Sequence, residues 1–286
     1  VGIMGKSMVR NLMKAGFELH IYARTKSKVE DVIGEGAQFH ESIKDCVQDC
    51  DAVITIVGFP QDVEEVYFDE GNILDSAKKG AYLIDMTTTS PQIAEKIYAE
   101  GTKRGFHVMD APVTGGDTGA KAGTLSILVG GEKEDYEACM PLFEAMGTNI
   151  NYQGKAGCGQ HCKLANQIMI AGTLSGVCEA LTYAKEQGLD PEVFMKSVAT
   201  GAAGSKQLDT FGPKILKDDY APGFFMKHFI KDMKLALIEA NRKGLSLDVL
   251  SMVLANYEEL EQEGYGDLGT QALMKFYDEE HRNTEE

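Results

Sequence analysis

Lys163, Asn166 and Gln167 stand three and four positions apart in the stretch Gly157-Cys158-Gly159-Gln160-His161-Cys162-Lys163-Leu164-Ala165-Asn166-Gln167. A helix places that spacing on one face. One charged donor beside two carboxamides, directly after a glycine-rich turn, suits holding a small carbonyl or carboxylate and moving a proton to it. The competing reading is a solvated helix start with a surface lysine, because charged residues are mostly exposed. Three further segments weigh against that reading.

The first is the opening run Val1-Gly2-Ile3-Met4-Gly5, followed by Met8, Val9, Leu12 and Met13 at helical spacing and by Gly16 as a stop. Gly2 and Gly5 have the spacing of the last two glycines of the dinucleotide fingerprint G-x-G-x-x-G, where bare backbone lets a pyrophosphate approach a helix N-terminus. The fingerprint's first glycine and its preceding strand do not stand in the sequence. Several further residues are therefore expected upstream in the natural protein. Without such a first strand the sheet would lack a central member.

The elements that must position these residues alternate. After a strand at 18–22, short apolar runs at Ala52–Val57, Tyr82–Ile84, His107–Met109 and Leu125–Val129 read as strands. Between them lie helix candidates at Lys28–Gly34, Ile43–Val47, Asp62–Tyr67, Pro91–Arg104 and Lys133–Met146, with Ser90 as a cap and Pro91 as the first helical residue. Strand alternating with helix predicts a parallel, doubly wound sheet that binds ligands at the carboxyl ends of its strands. At the end of the second strand an NAD site usually presents an acidic residue to the ribose. Here the run is Tyr22-Ala23-Arg24-Thr25-Lys26-Ser27-Lys28, with no carboxylate, and Arg24, Thr25 and Lys28 are placed to clamp a 2′-phosphate. NADP(H) is the preferred cofactor on this ground, with NAD(H) as the second choice. The bland alternative is a basic surface turn in which Thr25 or Ser27 caps the next helix.

The 286 residues exceed one such domain. After Tyr152-Gln153-Gly154 the strand pattern stops, and an apolar, proline-free stretch from His161 to Gln187 predicts a long helix. Residues 1–156 thus read as a Rossmann-type dinucleotide-binding domain and 157–286 as an all-helical C-terminal domain, an α/β chain joined by that helix. In the second half Asp190-Pro191 reads as a cap and first helical residue, Gly212-Pro213 and Ala221-Pro-Gly223 as breaks, and Asp232–Arg242 as a helix.

The net charge of −16 disfavours nucleic acid as a partner. No apolar run looks long enough for a membrane span and no signal peptide is visible, which points to no membrane partner and to the cytoplasm. The acidic runs Tyr277-Asp-Glu-Glu280 and Asn283-Thr-Glu-Glu286 read as a solvated tail. Cys158, His161 and Cys162 cluster beside Lys163, but their spacing does not match paired zinc motifs, so no metal is assigned and the six cysteines are read as reduced thiols.

The chain resembles the β-hydroxyacid dehydrogenases, the family of 3-hydroxyisobutyrate dehydrogenase, tartronate semialdehyde reductase and the glyoxylate/succinic semialdehyde reductases. Four segments in the family's order carry the resemblance: Val1–Gly5, Asp110-Ala-Pro-Val-Thr-Gly-Gly116, Gly157–Gln167 and Phe229-Ile-Lys-Asp-Met-Lys-Leu-Ala236. The resemblance implies that Lys163 protonates the carbonyl oxygen as hydride arrives and takes the hydroxyl proton in reverse, with a second cation such as Lys231 helping to lower its proton affinity. It implies that Asn166 orients substrate or lysine, and that Gln167 stands for a second asparagine. Thr114, Gly115 and Gly116 match the segment for the substrate carboxylate, where successive glycine N–H groups can form an anion-binding concavity beside a hydroxyl. Lys231 matches a lysine near cofactor and substrate, with Phe229 as a wall. Thr88, in the run Asp85-Met-Thr-Thr-Thr-Ser-Pro91, matches a position near the nicotinamide, and Val57, Gly58 and Phe59 one that passes under the cofactor. Ile3 and Met4 belong to the cofactor segment with Gly2 and Gly5.

The implied activity is NADP(H)-preferring interconversion of a small 3-hydroxy acid and its semialdehyde, on a small carboxylate-bearing substrate, by a homodimer or homotetramer formed through the helical domain. A 6-phosphogluconate dehydrogenase-like enzyme and a non-catalytic dinucleotide-sensing or scaffold module are the alternatives.

Overall fold

A computed structural model of the chain describes residues 1–277. The acidic runs read as a tail lie, beyond Tyr277, outside the described residues. By compactness the chain divides into two units, Val1–Lys163 and Leu164–Glu286.

The first unit opens with α1 (Ile3–Lys14), β1 (His20–Ile21), a 3-10 turn at Lys26–Lys28, α2 (Glu30–Gly34), β2 (Gln38–Phe39) and α3 (Ile43–Val47). It continues through β3 (Ala52–Thr55), α4 (Pro60–Phe68), α5 (Ile73–Ser76), β4 (Tyr82–Asp85), α6 (Pro91–Lys103) and β5 (His107–Asp110). It closes with β6 (Val113–Thr114), α7 (Gly116–Ala122), β7 (Leu125–Gly131), α8 (Lys133–Ala138), α9 (Met140–Met146) and β8 (Gly147–Gly154).

Strands β1 and β2 pair in parallel as a sheet of their own, and the remaining six follow the order β3-β4-β5-β7-β6 with β8 on β7. β3, β4 and β5 are parallel, with Val53 opposite Leu83 and Leu83 opposite Val108. β7 runs antiparallel to β5 and β6. The sheet is therefore mixed rather than wholly parallel, because alternation of apolar runs locates strands without giving their direction. Successive residues of the strands enter different cores. Leu83 and Val108 pack in a cluster with Val63, Tyr67 and Ile97, whereas Ile84 and Met109 pack with Ile127, Phe143 and Met146. Because strand side chains alternate between faces, this division shows a sheet covered on both sides.

Local chemistry explains several boundaries. Ser90 Oγ accepts the Gln92 N–H at 3.2 Å, and Pro91 opens α6. The single helix expected over Lys133–Met146 is broken at Cys139 instead, where Pro141 enters the first turn of α9 without an N–H to continue α8.

The helix α10 (Cys158–Glu186) starts within the first unit and runs on into the second, which adds α11 (Pro191–Val198), α12 (Lys206–Ile215), α13 (Met226–Arg242) and α14 (Asp248–Gln262). Among its described residues there is no strand, only an isolated bridge between Phe225 and Gly269. Leu174, Leu181, Phe229, Met233, Val253 and Tyr257 build its core, with the Phe229 and Tyr257 rings near-perpendicular at 5.4 Å.

Two expectations are corrected here. Gly212-Pro213 does not break the chain, because Pro213 lies inside α12. Pro213 and Asp209 are exposed, so the carbonyl that loses its donor can face water, and a Cβ on Gly212 would come within 2.5 Å of Met195 Sδ, making close helix packing the glycine's role. Secondly, α10 is long and apolar enough to cross a membrane by length and composition. Leu164, Ala171, Leu174, Cys178 and Leu181 on that helix are buried in the helical core.

Asp190 Oδ1 accepts the N–H groups of Glu192 and Val193 at 2.9 and 3.1 Å, ahead of Pro191. Asp190→Ala is expected to cost about 1 kcal/mol, the usual worth of such a cap, read as a lowered urea midpoint at unchanged slope.

Candidate active site

Lys163 is placed by the way α10 begins. The Asp110 carboxylate, at the end of β5, accepts the Gly157 N–H on Oδ1 at 2.7 Å and the Gln160 N–H on Oδ2 at 2.8 Å. A buried anion thus satisfies donors at the positive end of a 29-residue helix. Burial raises the Asp110 proton affinity, and these two N–H groups oppose the rise. The packing is close enough to require glycine. A Cβ on Gly159 would lie 2.3 Å from the Leu128 carbonyl oxygen, and one on Gly130 would lie 2.6 Å from Asp110 Oδ1. One turn after Gln160, Lys163 is 7% exposed, so the surface-lysine reading fails.

Gln160 links that turn to the threonine loop. Fully buried, it donates Nε2 to the Thr87 carbonyl at 2.7 Å and accepts the Thr89 N–H on Oε1 at 3.0 Å. Thr87 Oγ1 accepts the Val57 N–H at 3.0 Å, so the loops after β3 and β4 are tied together. Thr87 therefore has structural work through its side chain and Thr89 through its backbone, and Thr88 stands half-buried between them. Asp85 anchors the same loop, accepting the Thr55 hydroxyl at 2.8 Å and the Thr87 N–H at 3.1 Å, both on Oδ1. Its Oδ2 is buried with no hydrogen-bond partner, and burial pushes the carboxyl up to about 6.

Sequence reasoning missed Asp85, Asp110 and Gln160 as organisers. The available signal was an acid continuing an apolar strand run, which occurs twice, in Tyr82-Leu-Ile-Asp85 and His107-Val-Met-Asp110.

The cofactor segment has the properties a dinucleotide requires. Gly2 caps α1 without a side chain, a Cβ there would meet nothing within 4 Å, and the helix's first turn contains no acid. A helix N-terminus of this kind suits a pyrophosphate. A Cβ on Gly5 would lie 3.3 Å from Ile56 Cγ2, so this glycine lets α1 pack on the chain leaving β3. Ile3 is exposed and Met4 half-buried in the same turn.

Arg24, Thr25 and Lys28 are exposed on the turn after β1. Thr25 makes no side-chain cap of the 3-10 turn, and the residue before α2 is Val29, so the capping alternative for Thr25 and Ser27 is not what is found. The absence of a carboxylate needs correction. Arg24 Nη2 donates to Asp62 Oδ1 at 2.6 Å and to Glu65 Oε2 at 2.9 Å, both from α4. The hydrogen bond to Asp62 is the main cause that raises the guanidinium further above its ordinary value, against partial burial.

Thr114 ends β6 opposite Ser126, and Gly115 and Gly116 follow with φ of 131° and 64°, conformations that other residues rarely adopt. These three residues form the corner before α7.

In the second unit Asn166 Nδ2 donates to Gln167 Oε1 at 2.8 Å, and Gln167 Nε2 donates to Asp232 Oδ2 at 2.7 Å. Lys231 Nζ lies 3.0 Å from Asp232 Oδ1. Asp232 is 1% exposed, so Lys231-Asp232 is a largely buried charge contact. Gln167, also 1% exposed, spends both ends of its amide in this chain and serves to brace α10 against α13. Phe229 is fully buried in the helical core, with ring contacts to Tyr257 and Phe224.

Comparison with known proteins follows the same division. Residues 1–154 match the family described as the NAD binding domain of 6-phosphogluconate dehydrogenase, and residues 157–277 the family described as NAD-binding of NADP-dependent 3-hydroxyisobutyrate dehydrogenase. The uncharacterized oxidoreductase YkwC of Bacillus subtilis is 48% identical over 277 residues, covering 97% of this chain and 96% of that protein. The probable 3-hydroxyisobutyrate dehydrogenase-like 1, mitochondrial, of Arabidopsis thaliana is 44% identical over 274 residues, covering 96% and 82%. Among solved structures, Mycobacterium tuberculosis 3-hydroxyisobutyrate dehydrogenase with L-serine superposes with a TM-score of 0.87 at 26% identity, covering 96% and 95%.

Asp85 makes stability depend on pH. Its folded value of about 6 exceeds the ordinary 3.8, so the unfolded chain ionises first as pH rises, and the native state loses stability between about pH 4 and pH 6. Asp85→Asn removes that loss. Its stability relative to the parent should improve by roughly 3 kcal/mol between pH 4 and pH 7.5, the equivalent of a shift of about two pH units, in chemical denaturation at the two pH values.

Proposed function

The chain belongs to the β-hydroxyacid dehydrogenase family of nicotinamide-dinucleotide-dependent oxidoreductases, and we propose that it interconverts a small 3-hydroxy acid and its semialdehyde, preferring NADP(H), with Lys163 as the general acid/base. The observation that carries this reading is a lysine buried one turn into a helix whose start is fixed by Asp110. Lysine is among the residue types least often buried.

The dinucleotide, bound along Gly2–Gly5, Arg24, Thr25, Lys28, Val57, Gly58 and Thr88, supplies or accepts the hydride. Lys163 Nζ gives its proton to the carbonyl oxygen during reduction and recovers it from the hydroxyl during oxidation, with proximity to the reacting oxygen as its main advantage. Asn166, whose carbonyl oxygen takes no part in the chain of bonds to Asp232, orients that oxygen or the ammonium. Thr114 Oγ1 and the N–H groups at Gly115 and Gly116 hold the substrate carboxylate. Lys231 adds positive charge from α13, moderated by Asp232. The substrate class accords with the L-serine, itself a 3-hydroxy acid, named with the mycobacterial structure.

A homodimer or homotetramer is part of the proposal. Met169, Tyr183, Val193, Ile238, Val249 and Met252 are large apolar side chains exposed on the second unit, a concentration that a second copy would cover. Light scattering at micromolar concentration should give at least twice the 31.2 kDa chain mass, and a monomer would refute this part.

Lys163→Ala is expected to lower turnover by at least about a hundredfold, the lower range for losing a general acid, while NADPH affinity measured by fluorescence stays near that of the parent. The assay panel is glyoxylate, succinic semialdehyde, tartronate semialdehyde and methylmalonate semialdehyde. Wild-type-like turnover in Lys163→Ala would remove this residue from the mechanism.

A further inference from the structure

The turn from Arg24 to Lys28 carries three cations in sequence, and in space two of them face carboxylates. Arg24 reaches Asp62 and Glu65 on α4 at 2.6 and 2.9 Å, and Lys26 reaches Glu41 at 3.3 Å. Asp62 is not a casual surface partner. Its second oxygen accepts the Phe59 N–H at 2.9 Å at the start of α4, so the carboxylate that faces Arg24 is held by the backbone. Glu65, one turn along α4, adds a second negative charge to the same guanidinium nitrogen.

We propose that Asp62 and Glu65 are coenzyme-specificity residues, which compete with a 2′-phosphate for Arg24 and so limit the discrimination between NADP(H) and NAD(H). The inference rests on the reading that Arg24 takes the 2′-phosphate. An arginine fork binds phosphate best when two of its N–H groups approach in parallel. Here Nη2 is already directed at two carboxylates, and a phosphate must either displace them or bind the rest of the fork beside them. Both routes oppose the doubly charged phosphate by like-charge repulsion. A 2′-hydroxyl carries no charge and meets no such opposition. The carboxylates therefore weaken one coenzyme while leaving the other unaffected.

The full-length protein is tested with Glu65→Gln, Asp62→Asn and the double variant, using 2′,5′-ADP and 5′-AMP as calorimetric probes and NADPH and NADH by fluorescence. Glu65→Gln leaves the Phe59 contact untouched and isolates the charge from any effect on the fold. Each neutralisation should tighten 2′,5′-ADP and NADPH by about three- to tenfold, leave 5′-AMP and NADH within about twofold, and lose most of its effect at high salt, as screened surface charges do. Arg24→Ala serves as the reference.

If Arg24→Ala abolishes the preference for 2′,5′-ADP but neither neutral variant changes it, Arg24 keeps its role and the competition is refuted. If the neutral variants weaken 5′-AMP and NADH instead, the carboxylates serve the ribose hydroxyls and the proposal is overturned. If Arg24→Ala leaves the preference unchanged, the reading of Arg24 fails and the competition with it.

Discussion

The carboxylate of Asp110, received by two backbone N–H groups at the start of α10, is the contact on which the geometry of the first unit's site depends. It joins the end of a central strand to the beginning of the helix that bears Lys163. Gly130 and Gly159 allow the approach, since any side chain at either would intrude on Asp110 or on the Leu128 carbonyl. Gln160 then carries the constraint sideways to the Thr87–Thr89 backbone, and Thr87 passes it to Val57. Loops after two strands and the first turns of one helix are in this way set by a short series of buried, directional bonds. Such bonds are worth more where water is absent, and each unmade one would cost a buried polar group its partner.

The elements visible in the sequence are those whose signals are local. Helix α3 falls at Ile43–Val47 as its pattern predicts, and Ser90-Pro91 and Asp190-Pro191 start helices because a short oxygen and a fixed φ act within one turn. The long α10 is legible from sustained apolar composition. What escapes is set by distant neighbours. The antiparallel course of β7 depends on which strand lies beside it, and Pro213 is tolerated in α12 because that part of the helix faces water.

The same distinction governs the site. Motif spacing singles out Lys163, Asn166 and the glycines, because position along the chain is what it reads. It misjudges residues whose character is decided by partners far away. Arg24 is basic in its own turn and balanced by Asp62 and Glu65, 38 and 41 residues on. Asp232, which no motif singles out, is a buried acceptor for Gln167, 65 residues away. Phe229 lies within a motif segment yet belongs to the helical core, which is set by α13 and α14 packing together.

The position of the Asp110 contact also bears on how the polypeptide can be dissected. The motif-based division falls between residues 156 and 157, just ahead of both N–H donors that Asp110 uses. A fragment severed there would retain every described strand of its sheet and still lose both N–H groups that the buried Asp110 carboxylate accepts. Limited proteolysis or recombination between relatives would meet the same obstacle. The minimal autonomous piece must carry the opening turns of α10, so that the evolutionary seam and the mechanical one are several residues apart.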